Sequence, residues 1–254
     1  MSLAVRNLTA VYSAPGNDSL PPFPALGPIT FTVETGEFVC VVGPSGCGKS
    51  TLIRILAGLQ KPAQGQALLD GMPIDEPSRR IGVMFQDTNL MPWRTVLDNV
   101  ALPLELAGFS KAVRYEAVNK LLPALGLDEF ARAYPGELSG GMAQRAALGR
   151  VLVQHPHVLL LDEPFGALDA LTREQVSLDL LRLWAEKEQT VLMVTHSIDE
   201  AVLLADRILV LSRRPGQLIA DIRVPLSRPR SIEDTYSEIF NQTARQVREM
   251  IERA

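Results

Sequence analysis

The chain has 254 residues, 46% of them hydrophobic and 21% charged, an ordinary globular composition with room for a sizeable core. Its formal net charge of −4 excludes an overall basic surface of the kind that binds nucleic acid by neutralising phosphates. Only two cysteines occur, Cys40 and Cys47, the second in a glycine-rich loop that a disulfide would distort, so both read as reduced thiols of a cytosolic protein; the start carries no signal-peptide pattern, and no apolar run reaches the ~18 residues of a membrane span.

In chain order, the Pro-, Gly- and Asn-rich stretch at 13–28 (SAPGNDSLPPFPALGP), set between two strand-like stretches, predicts a loop. Short β-branched runs follow: FVCVVG (38–43), RIGVMF (80–85), VLLLDE (158–163), TVLMVTH (190–196) and RILVLS (207–212). Helix-period segments separate several of them, which predicts an α/β protein with a mostly parallel sheet covered by helices. Between RIGVMF and VLLLDE the pattern is helical throughout, so residues 87–155 are expected to form an inserted helical subdomain. From 213 to 254 a strand-like QLIADIRV leads to a helix, too short a stretch for a second core.

GPSGCGKS at 43–50 fits G-x-x-x-x-G-K-[ST], with a strand before it and the helical TLIRILAGL after it. The glycines let the backbone curl its N–H groups toward phosphates. The Lys49 ammonium supplies a point charge and the Ser50 hydroxyl a magnesium ligand. A guanine reader of the form Asn-Lys-x-Asp is missing, since Asn119-Lys120 continues Leu-Leu; ATP is the expected nucleotide. VLLLDEP ends a strand with Asp162 and Glu163, where a parallel sheet delivers side chains to its ligand edge. One carboxylate there can hold the magnesium ion and the other can polarise the attacking water. His196 ends the next strand at the same edge, in reach of a γ-phosphate. His155 and His157, beside a proline turn and without further ligands, do not form a metal site.

One nucleotide needs one phosphate loop, yet LSGGMAQR at 138–145 holds a second glycine pair. With GPSGCGKST, LSGGMAQR, VLLLDEP, the ALD at 167–169 and His196 in this order, about 200 residues of the chain closely resemble the nucleotide-binding subunits of ABC transporters. The resemblance implies a P-loop NTPase (RecA-like) core with an N-terminal antiparallel β-subdomain and an inserted α-helical subdomain, all in one nucleotide-binding domain. It implies that two copies pair head to tail, with Ser139, Gly140 and Gly141 of one serving the ATP on the phosphate loop of the other. Gly43, Pro44, Ser45, Gly46, Cys47, Gly48, Lys49, Ser50 and Thr51 would then hold ATP and Mg2+, with Asp162 and Gln86 on the metal and Tyr12 stacked on adenine. Glu163, His196, Gln86 and Asp169 would carry hydrolysis and its coupling between the two sites. Met142, where many relatives have Gln, and Gly149 inside a helix depart from the pattern; Gly149 is expected to cost that helix about 1 kcal/mol relative to alanine.

Leu90, Met91, Pro92 and Trp93 cluster in a loop after Gln86, and exposed apolar clusters of this kind mark protein contacts. In the family this region receives a short helix of the membrane-spanning partner. LMPWRTVLDNVALPLE, FGALDALTR and LVLSRRPGQL look most like the importer branch for nitrate, sulfonates, taurine and thiamine-precursor pyrimidines. The expectation is therefore an ATPase at the cytoplasmic face of the bacterial inner membrane, working with permease subunits and, through them, a substrate-binding protein, and not with nucleic acid. The rival reading, a soluble ABC ATPase acting on DNA or ribosomes, would call for a long coiled coil or a second cassette, and the sequence has neither.

Overall fold

The computed structural model describes residues 2–12, 22–185 and 189–253. Its centre is a six-stranded sheet built from β3 (Phe38–Val42), β6 (Ile81–Met84), β7 (Val158–Asp162), β8 (Thr190–Val194), β9 (Arg207–Leu211) and β10 (Leu218–Arg223), in the order β10-β9-β3-β8-β7-β6. Only β10 runs antiparallel to its neighbour. β3, β7 and β8 are buried along their whole length, as strands of a parallel sheet covered on both faces must be. Their period-two alternation divides the core: Phe38, Cys40 and Val42 face one apolar cluster, Val39 and Val41 the other.

The second sheet is antiparallel, with β1 (Leu3–Tyr12), β2 (Phe23–Val33), β4 (Gln64–Leu69) and β5 (Met72–Pro73) in the order β2-β1-β4-β5. It covers α1 (Lys49–Leu56), whose apolar side chains sit between it and the central sheet. Here the loop expected at 13–28 is corrected. Residues 23–28 are the first half of β2, paired with β1 through Tyr12↔Phe23, Val11↔Pro24 and Ala10↔Leu26. Pro24 and Pro28 are tolerated because β2 is an edge strand, where a missing N–H faces outward. Residues 13–21 of that expected loop lie outside the described residues.

Between β6 and β7 the chain is helical: α2 (Val96–Leu106), α3 (Lys111–Leu121) and α4 (Gly140–Leu152). After β7 come α5 (Ala170–Ala185) and α6 (Ile198–Leu204), and α7 (Glu238–Glu252) closes the chain against α6 and β9. Among the described residues no helix is long and apolar enough to cross a membrane. The turn from β3 into α1, the ends of β7 and β8, and the β1–β2 end meet along one edge, and there the candidate site lies.

Candidate functional site

A cavity of about 290 Å³ is lined by Tyr12, Phe23, Ala25, Ser45, Gly46, Gly48, Lys49, Ser50, Thr51, Glu163 and Arg214. Lys49 opens α1 and is only 6% exposed. Its Nζ donates to the carbonyls of Gly43 at 2.8 Å and Pro44 at 3.2 Å. Two of three ammonium donors are thereby used, and among the described residues Lys49 has no carboxylate partner. A buried cation left with neutral partners is costly unless an anion joins it. Gly48 permits the arrangement: at φ +103 it turns the chain into α1, and a side chain there would strike Leu26. The helix thus begins with free N–H groups and a positive dipole end at the cavity. Cys47 is buried behind the loop, and its N–H bonds the Pro44 carbonyl at 3.3 Å.

At the other wall, the Ser50 hydroxyl donates to Asp162 Oδ1 at 3.0 Å. Burial raises the pKa of Asp162; the Ser50 hydrogen bond works against this and the neighbouring Glu163 charge adds to it. A hydroxyl beside a carboxylate that desolvation makes reluctant to ionise is a hard oxygen donor set, and it fits a magnesium ion. Glu163, the next residue, has φ +46, a left-handed backbone that costs a residue with a side chain about 1–2 kcal/mol. Its Oε2 lies 3.0 Å from His196 Nδ1, so the sheet edge joins the two expected catalytic groups. Thr195, just before His196, donates to Glu200 Oε2 at 2.7 Å, and Glu200 pairs with Arg173 at 3.3 Å; burial raises the pKa of Glu200. Arg173 also holds the carbonyls of Phe165 and Leu168. The chain of contacts runs from His196 to the loop that carries Asp169.

Tyr12 stands at the cavity mouth, with Phe23 stacked on it at 5.7 Å between ring centroids and 29° between planes. Its phenol proton goes to Gln60 Oε1 at 3.1 Å, so the Thr51 hydroxyl, 2.9 Å away, is the donor of the other bond. The remaining expected residues lie elsewhere. Ser139 caps α4, accepting from the Met142 N–H at 3.3 Å. Ser139 and Gly140 are exposed, Gly141 packs on Thr172, and none of the three lines the cavity. Asp169 accepts from the Thr172 N–H at 3.1 Å, and hydrogen bonding from the Thr172 side chain, with this backbone bond second, holds its pKa below the ordinary carboxylate value. Gln86 is exposed and outside the cavity; its backbone is what the structure fixes, through Gln144 Nε2 donating to its carbonyl at 3.4 Å.

Sequence reasoning missed Phe23, Ala25 and Arg214. Phe23 was legible only as the residue that meets Tyr12 once β1 and β2 pair, and Arg214 lay in LVLSRRPGQL, a stretch read only for its likeness to the importer branch. It also missed Asn99. That fully buried side chain accepts from the Met91 N–H at 2.7 Å and donates toward the carbonyls of Met91, Arg94 and Thr95. It fixes the loop that leaves Trp93 72% exposed.

A model of the ABC transporter family matches residues 26–166. An uncharacterized ABC transporter ATP-binding protein of Methanocaldococcus jannaschii is 48% identical over 91% of this chain and 85% of its own. The aliphatic sulfonates import ATP-binding protein SsuB of Bacillus cereus is 45% identical over 89% of this chain and 87% of its own. The nitrate import ATP-binding protein NrtD of Synechococcus elongatus is 44% identical over 84% and 78%. Among solved structures, a dimeric bacterial ABC transporter cassette superposes with a TM-score of 0.76 at 33% identity, over 89% of this chain and all of that one. A dimeric post-hydrolysis cassette bound to ADP and phosphate matches with the same TM-score at 32% identity, over the same shares. With a phosphate loop around a buried lysine, a carboxylate pair at the adjoining strand end, and these relatives, the chain belongs to the ABC transporter family as an ATP-binding, ATP-hydrolysing subunit of its importers.

Proposed function

We propose that two copies of this chain close head to tail on two ATP molecules and that hydrolysis there energises uptake of a small solute through separate membrane subunits. The observation that carries this reading is Lys49, a buried ammonium held by two backbone carbonyls and, among the described residues, in no ion pair with a carboxylate. The phosphates of ATP complete its coordination, with the 45–50 backbone and the N-terminus of α1 around them. Ser50 and Asp162 would hold Mg2+, with Gln86 as a further ligand. The ion neutralises charge on the phosphates. Glu163 takes the proton of the attacking water, and His196, held beside it at 3.0 Å, stands at the edge where the γ-phosphate would lie. Tyr12 stacks on adenine.

Ser139 and Gly140 stand exposed at the start of α4, Gly141 is buried beside them, and all three lie outside their own chain's cavity, which supports this stretch serving the partner copy's γ-phosphate. Asp169 couples the two sites. Leu90, Met91, Pro92 and Trp93 form the contact for a permease subunit, the exposed indole being its anchor. The subunit then works peripherally on the cytoplasmic face of the bacterial inner membrane, with a substrate-binding protein delivering solute to the permease. The sulfonate and nitrate importers among the relatives favour a small solute such as a sulfonate, nitrate, taurine or a thiamine-precursor pyrimidine. The test is to purify the complex with its membrane subunits and measure ATP turnover with each loaded binding protein. Stimulation by one of these solutes supports the reading, and turnover indifferent to all four contradicts the solute assignment.

A further inference from the structure

Arg214 enters the nucleotide cavity from the stretch LVLSRRPGQL, for which the sequence suggests no role in nucleotide binding. It sits in the turn 212–217 between β9 and β10, and its Nε donates to the Gly46 carbonyl at 3.1 Å. Its guanidinium lies 5.1 Å from the Phe23 ring centroid, and one terminal nitrogen lies 3.1 Å from where a side chain at Gly46 would begin. The turn is anchored rather than loose: the Gly27 N–H bonds the Gly216 carbonyl at 3.0 Å and the Gly216 N–H bonds the Ala25 carbonyl at 3.1 Å. A guanidinium stacked on an aromatic ring and tied at Nε is already oriented, with its four terminal N–H donors left over. Among the described residues it has no carboxylate partner.

Two cations that form no ion pair with a carboxylate among the described residues, Lys49 at the floor and Arg214 at the mouth, therefore face one cavity, with Glu163 on its wall. We propose that Arg214 is a nucleotide-contacting residue whose planar fork grips the phosphate chain at its nucleoside end, with Phe23 as its platform. This rests on the nucleotide reading above. The fork matches phosphate oxygens better than a base edge, and the Gly46 carbonyl to which it is tied belongs to the phosphate loop itself. The contact makes the β9–β10 turn part of the binding site, so nucleotide occupancy is felt at the start of the C-terminal segment.

Calorimetric titration of ATP and of inorganic tripolyphosphate onto the full chain tests it, with Arg214→Ala, Arg214→Gln and Arg214→Lys compared at low and high salt. The glutamine variant keeps a donor for the Gly46 carbonyl and loses the charge. Arg214→Ala and Arg214→Gln are expected to weaken both ligands about tenfold, Arg214→Lys less, with the differences shrinking as salt rises. Unchanged nucleotide-free melting temperatures would show that the loop itself is intact. Wild-type affinity in Arg214→Gln would overturn the proposal in favour of a bracing role. Weakened ATP with unchanged tripolyphosphate would overturn the phosphate contact. Failure of the unmodified chain to bind ATP would instead overturn the nucleotide reading beneath it.

Discussion

Glu163 combines a left-handed backbone with a hydrogen bond to His196, and a residue held at that cost by its surroundings belongs to sites where position matters more than stability. Glu163→Gln keeps the shape and loses the proposed base. It is expected to lower steady-state ATP turnover about 10²–10⁴-fold while ATP affinity stays near wild type, as paired kinetic and binding assays would show. Asp162 gives a pH-dependent test. Its pKa is raised in the folded chain, so its contribution to stability is greatest below its unfolded value and is lost as pH rises through the folded one. At neutral pH the ionised group therefore costs stability until a cation joins it. Asp162→Asn should raise the melting temperature of the nucleotide-free chain at pH 7, by a margin that vanishes toward acid, and should remove the extra stabilisation that Mg2+ adds to ATP. An unchanged or lower melting temperature at pH 7 would contradict this. At this scale the phosphate loop, Asp162, Glu163 and His196 were legible, because each sits at a strand end or helix start that local sequence marks. Phe23 and Arg214 were not, because only the pairing of β1 with β2 and the docking of a distant turn bring them in.

Among the elements, α4 joins the most parts. It begins at the exposed Ser139–Gly140 pair, holds the Gln86 carbonyl through Gln144, and holds the carbonyls of Thr88 and Asn89 through Arg150. Gly149, read from sequence as a propensity defect, is where α4 meets its neighbours. A methyl there would lie 2.6 Å from Leu125 Cδ1 and 3.5 Å from Val100, and Leu125, itself buried, cannot retreat into solvent. Overpacking of about 1–3 kcal/mol outweighs the ~1 kcal/mol propensity gain. Gly149→Ala should thus destabilise the chain by about 1 kcal/mol in urea unfolding, against the gain that propensity alone predicts. Asn99 supports the next element along. Asn99→Ala leaves buried backbone groups of the 91–95 loop unpaired and should cost about 2–3 kcal/mol, with weaker capture of the membrane subunit under conditions where the chain remains folded. The helical stretch before β7 and the six strands of the central sheet were legible from the sequence pattern. The first half of β2 was not, because its prolines imitate a loop until the edge position of the strand is known.

For the whole molecule, the proposed function assigns one chemistry to two separated places: the 45–50 loop, Asp162 and Glu163 at one edge, and the 139–141 stretch outside that cavity. Contacts through α4 and the Gln86–Trp93 loop on one side, and through Glu200 and Arg173 on the other, connect both halves to exposed surface. Family and fold were legible in the order of the motifs, whereas the solute was not, because in the proposed function it meets the binding protein and the permease rather than this chain. The central claim is that each ATP is cleaved between two copies. It is tested by mixing Lys49→Ala chains, whose own phosphate loop fails, with Ser139→Arg chains, whose 139–141 stretch fails. Each variant alone should be inactive, whereas random pairing should restore about one quarter of wild-type ATP turnover, since half the dimers then hold one complete shared site of two. Turnover in the mixture no higher than the mean of the two variants alone would contradict the account.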